Sequence, residues 1–101
     1  MEVVLIAHDV RSTHNIGSLA RSADGFGIKT IYCTGFTPYI RSDHDDRLPH
    51  IRTKTAKDIH KTALGAEEST DIVHAISIEV LIKTLKSQGF VIAALEQSVD
   101  S

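Results

Sequence analysis

The chain has 101 residues, 42% of them hydrophobic and 24% charged, and a formal net charge of −2. That balance describes one ordinary folded domain and lacks the net positive charge common among nucleic-acid binders. No apolar run approaches the roughly 18 residues of a membrane span and no signal-peptide pattern opens the chain, so a cytoplasmic location is the expectation.

Residues 2–8 are a short, nearly continuous apolar run and predict a first strand. After a polar loop, Ile16, Leu19, Ala20, Ala23 and Phe26 recur at the spacing of one buried helical face. Asn15 is the expected N-cap of this helix, and Gly25 and Gly27 bracket its end. Arg21 lies off the apolar stripe. Gly17 lies on the same flank one turn earlier, where a glycine costs about 1 kcal/mol against alanine and therefore implies a packing or access reason. Residues 28–33 predict a second strand. Cys33 within it is the single cysteine, which leaves no internal disulfide and reads as a buried thiol.

Residues 34–50 read as a long irregular stretch, marked by Pro38 and Pro49 and an acidic tip of Asp43, Asp45 and Asp46. A second helix is expected over residues 53–64, stopping near Gly65. A third strand follows over 72–76. Ser77 then caps an amphipathic helix whose buried face is Ile78, Leu81, Ile82 and Leu85, and whose Glu79, Lys83 and Lys86 suit the helix dipole. A fourth strand covers 90–95. Strand–helix alternation with apolar strands implies a three-layer α/β domain with a mostly parallel sheet covered on both faces. The expected core includes Val3, Leu5, Leu19, Ala23, Ile31, Leu81, Leu85, Ile92 and Ala94.

Local chemistry offers few other sites. His8, Asp9 and His14 flank the first loop, but their spacing matches no strong ligand pattern, and no metal is expected. Gly25-x-Gly27 precedes a strand rather than opening a helix, which is wrong for a dinucleotide fingerprint. Six of the eleven Lys and Arg residues fall within 41–61, interleaved with carboxylates.

The segment Asn15-Ile16-Gly17-Ser18-Leu19-Ala20-Arg21-Ser22-Ala23-Asp24-Gly25-Phe26-Gly27 resembles the first motif of the SpoU (TrmH-type) branch of the SPOUT RNA methyltransferases. Phe36-Thr37-Pro38, Arg47-Leu48-Pro49-His50, Lys61 through Glu67, and Ala94-Leu95-Glu96-Gln97 extend the resemblance in the same order. It spans the whole chain, residues 1–101, and corresponds to about the first two-thirds of that catalytic domain. The segments that tie the α/β knot are not matched, so a fragment or a truncated product is expected.

The resemblance implies a methyl transfer from S-adenosylmethionine to a ribose 2′-hydroxyl of tRNA or rRNA, by a homodimer when complete. It implies Asn15 and Arg21 as catalytic residues, Arg21 acting as orienter and phosphate contact, since arginine stays protonated. It places the cofactor at Leu95, Glu96 and Gln97, and RNA along Arg11, Arg41, Arg47, Arg52 and Lys54. Residues 1–101 alone are then expected to be inactive and to bind the cofactor weakly. Two other readings stand beside it: a non-catalytic binding or oligomerisation module of the same fold, and an unrelated doubly wound nucleotide-binding domain that shares the opening helix.

Overall fold

A computed structural model describes residues 2–42 and 45–96. The elements run β1 (Val3–His8), α1 (Thr13–Gly25), β2 (Thr30–Thr34), α2 (Pro49–Ala63), a 3₁₀ turn at Ala66–Glu68, β3 (Asp71–His74), α3 (Ile78–Ser87) and β4 (Val91–Glu96). The four strands form one sheet in the order β3-β2-β1-β4, and every pairing is parallel. Leu5 pairs with Ile31 on one side and Ala93 on the other, which fixes the register at the centre. The expected α/β architecture is therefore the one observed.

Alternation along each strand divides the core in two. Leu5, Ala7, Ile31, Cys33 and Ile72 face α1 and α2, where they meet Ile16, Ala20, Ala23, Ile59 and Ala63. Val4 and Ile6 face the opposite way and pack under α3 against Leu85, with Leu81, Ile82, Tyr32 and Ile92 partly buried around them. Full burial of an isoleucine such as Ile6, Ile16, Ile31 or Ile59 contributes about 1.5–3 kcal/mol.

Several sequence expectations are corrected here. Ser12, not Asn15, caps α1: its hydroxyl accepts the Asn15 N–H at 3.2 Å, and the helix starts at Thr13. Helix α2 begins at Pro49, four residues before the expected start, because proline at the first helical position sacrifices no hydrogen bond and arrives with helical φ. Of the expected core, Leu5, Ala23, Ile31 and Leu85 are buried and Leu19, Leu81 and Ile92 partly so, but Val3 and Ala94 are exposed. The cause is that β4 lies at the sheet edge. Its residues Val91, Ala93 and Leu95 share a face with Val3, Leu5 and Ala7, yet α1 and α2 do not cover them; Ala94 lies on the opposite face with Ile6 and is exposed there. The α3 expectations hold: Ser77 Oγ accepts the Val80 N–H at 3.3 Å, Glu79 sits in the first turn and Lys86 in the last.

Gly17 has a packing reason. A Cβ there would stand 2.5 Å from the Ile59 carbonyl oxygen and 2.9 Å from the Ala63 amide nitrogen, besides colliding with the Thr62 hydroxyl. The same hydroxyl donates to the His14 carbonyl at 2.9 Å, so a side chain of α2 is bonded to the backbone of α1 where the helices touch. Gly17→Ala should cost about 1–3 kcal/mol through overpacking against backbone that cannot yield. Its melting temperature should fall by several degrees in a thermal scan; an unchanged value would refute the contact.

Burial pushes the Cys33 thiol up to about 12. Since the thiolate is the nucleophile, the native protein should leave an aromatic disulfide reagent unreacted at pH 8. One equivalent should react once denaturant is added.

Candidate functional site

In an open parallel sheet, ligands gather beyond the carboxyl ends of strands where the chain departs in opposite directions. Here β1 leaves through α1 on one face, while β4 is reached through α3 on the other, so the switch lies between β1 and β4. A crevice of about 400 Å³ occupies that place, lined by Val10, Asn15, Ser18, Leu19, Ser22, Leu95 and Glu96. Asn15, Ser18, Leu19 and Ser22 stand on one stripe of α1, at the i, i+3, i+4, i+7 spacing that faces one neighbour. The bare edge of β4 forms the opposite wall. Three apolar residues and four polar ones thus line it.

The floor beside the crevice is braced. Asp9 takes the left-handed conformation, φ +54°, uncommon for a residue with a side chain. Its backbone N–H donates to the Thr34 carbonyl at 3.2 Å, and its Oδ1 accepts the Phe36 N–H at 3.0 Å. Gly35, at φ +65°, has no room for a Cβ because the Asp9 carboxylate fills the space. His8 Nδ1 and Thr34 Oγ1 share a 2.8 Å hydrogen bond, and His8 Nε2 lies 3.4 Å from Asp9 Oδ2. The Val10 N–H donates to Thr37 Oγ1 at 3.0 Å. These bonds lock the loops after β1 and β2 together. The sequence reading named His8 and Asp9 but missed this role and missed Thr34 and Thr37; polar residues at the ends of two adjacent strands were the available signal.

The sequence-derived site residues scatter. Asn15, Leu95 and Glu96 meet at the crevice, and Gln97 lies outside the described residues. Arg21 lines a different depression, with Asp24, Ala63, Leu64, Gly65 and Ala66 at the end of α2. Asn15 and Arg21 therefore open onto separate concavities. Arg11 sits over the exposed Phe36 ring, 4.9 Å from its centroid. Arg41 pairs with Asp71 at 3.4 Å, and Lys54 with Asp58 at 2.7 Å, a hydrogen bond that lowers the Asp58 carboxyl. Arg52 is exposed on α2. Arg47 is fully engaged: it bonds both Asp45 oxygens, donates to the Tyr39 and Ile40 carbonyls, and lies 3.9 Å from the Tyr39 ring centroid. Its guanidinium organises a loop, with four N–H groups and one face engaged within the chain. Among the described residues no group of three or more His, Cys, Asp or Glu is placed to hold a metal ion, and no helix is long and apolar enough to cross a membrane.

No family model matches the chain. A curated protein from Metallosphaera sedula, named a probable GTP 3′,8-cyclase, is 39% identical over 54 residues, which are 54% of this chain and 17% of that protein. The chain therefore matches only about a sixth of the relative's length. These findings overturn the SpoU resemblance and the RNA 2′-O-methyltransferase activity read from it, since the relative is named for a different reaction on a nucleotide. The RNA partner and the expectation of no metal fall with it.

The Arg47 hydrogen bonds pull the Asp45 carboxyl down to about 2. A carboxyl held below its ordinary value of about 3.9 stabilises the fold at higher pH and ceases to as pH falls through the folded value. Asp45→Asn should therefore melt below the wild type at pH 7, with the two curves converging between about pH 4 and pH 2. A gap that persists unchanged at pH 2 would contradict the bond.

Proposed function

We propose that this chain is a purine-nucleotide-binding domain, and that the crevice between β1 and β4 receives the nucleoside. The observation that carries the reading is the coincidence of a mixed apolar and polar crevice with the switch point of the sheet. Leu19, Leu95 and Val10 offer surface to the flat faces of a base, and Asn15, Ser18 and Ser22 offer hydrogen bonds to its edge or to a ribose. The volume, about 400 Å³, falls within the range of small-ligand sites. The loop Asp9-Val10-Arg11-Ser12 contains no glycine, so backbone cannot cradle a pyrophosphate closely. The phosphates accordingly stay at the mouth, in solvent.

The relative's name supports GTP as the nucleotide. Of the cofactor expectation, what this reading keeps is a purine nucleoside, which S-adenosylmethionine also carries; it is the second ligand to be tried. The lone buried thiol of Cys33 supports a reducing compartment such as the cytoplasm.

Titrating GTP into the ¹⁵N-labelled 101-residue chain is the test. Shifts should concentrate at Val10, Ser18, Leu19 and Leu95 and saturate. Ser18→Phe, which fills the crevice from an exposed position, should abolish them while leaving the melting temperature within a few degrees. Shifts spread over the surface, or unchanged by Ser18→Phe, would refute the crevice as the site.

A further inference from the structure

We propose that the chain associates with a second copy of itself through the free edge of β4, the two β4 strands running antiparallel across a two-fold axis. The two edges of the sheet are built differently. At the β3 edge the chain closes its own ladder: the Ile40 and Arg41 N–H groups donate to the Ile72 carbonyl at 3.2 and 3.1 Å, and the His74 N–H donates to the Arg41 carbonyl at 2.8 Å. Arg41 also pairs there with Asp71, on a strand of only four residues. Short length, charge and a covering segment are the usual protections of an edge. β4 has six residues, no lysine, arginine or proline, and a single charge at its end, Glu96. Its Val91 and Leu95 are 40% and 47% exposed.

The register with β1 decides what this edge offers. The Val91 N–H donates to the Glu2 carbonyl at 2.9 Å, so Val91, Ala93 and Leu95 turn their backbone groups toward β1. Ile92, Ala94 and Glu96 therefore turn theirs outward. A two-fold contact sets a surface against itself and must be self-complementary. Centred on Ala93, the pairing opposes Ala93 to its own copy, Val91 to the partner's Leu95, and Ile92 to the partner's Ala94. Every opposed pair is apolar, and Ile92 and Ala94 exchange N–H···O bonds in both directions. Centred on Ala94, Glu96 would oppose the partner's Ile92, a poorer match. The Ala93 register also brings the partner's Val91 beside Leu95, at the outer wall of the crevice, whatever that crevice binds. Six residues span only about 20 Å, small beside a standard interface, so the association is weak and concentration-dependent.

Light scattering on the 101-residue chain, from micromolar to millimolar concentration, should show the mass rising from 11.0 kDa toward twice that value. Ala94→Pro removes an outward N–H and no bond to β1, a place where an edge strand tolerates proline. It should hold the protein at the monomer mass with a melting temperature within a few degrees of wild type. Ala93→Cys is an independent reading. Residues opposed at such a position stand about 4.5 Å apart at Cα, within disulfide reach, and the buried Cys33 does not compete. Mild oxidation should capture this variant as a covalent dimer. A wild type that stays at monomer mass, a dimer unmoved by Ala94→Pro, or one that Ala93→Cys fails to capture would overturn the contact. Should Ala94→Pro fail to fold, the crosslink decides alone.

Discussion

The close approach of α1 to α2 is the constraint on which the rest depends. It needs a hydrogen atom for a side chain at Gly17, flanked by Ile16 and Ala20 beneath and by Ile59 and Ala63 opposite. With the backbones in contact, and the Thr62 hydroxyl bonded to the His14 carbonyl, α1 cannot roll on the sheet. That fixes which stripe of α1 looks toward β4. Asn15, Ser18, Leu19 and Ser22 are crevice residues because Gly17 faces the other way.

A second device sets the crevice floor. Asp9 holds a backbone conformation that costs of the order of 1–3 kcal/mol, and recovers part of it through the Phe36 amide and the pairing with His8. The loops after β1 and β2 are thereby tied to each other, and α1 starts from a defined point at Ser12. The proposed binding surface, built on such a brace, would change little when a ligand arrives, which lowers the entropy lost on association.

The strands, their parallel pairing and α3 were legible because each rests on a local signal: short apolar runs, the Ser77 cap, the 3.6-residue stripe of Ile78, Leu81, Ile82 and Leu85. The errors arose where a local signal had two meanings. Pro49 punctuates a loop and equally opens a helix; Asn15 and Ser12 are both good caps. Ala94 is apolar, but its burial depends on what lies beside an edge strand, which no pattern within the strand encodes. The function was misread for a related reason. Asn15, Gly17 and Arg21 look like a motif along the sequence, and a short spacing of that kind is compatible with a relative named for another reaction; in space Gly17 packs, Asn15 faces the crevice and Arg21 faces another depression. Leu95 and Glu96, which the resemblance assigned to a cofactor, line the crevice, because carboxyl ends of strands are set by topology rather than by a motif.

The pairing of Val3–His8 with Val91–Glu96 joins segments from opposite ends of the described chain. During synthesis β1 emerges first, and the α1–α2 layer with β2 and β3 can assemble on one of its faces. Its other face, Val4 and Ile6, has to wait for Leu85 and Ile92. The nascent chain therefore carries a one-sided sheet, with an unpaired inner edge, until nearly all of these residues have left the ribosome. Such an intermediate is slow to complete and exposed to wrong partners. The strand that walls the crevice completes the pairing of β1 and becomes the edge of the sheet itself, so the crevice is the last feature to form.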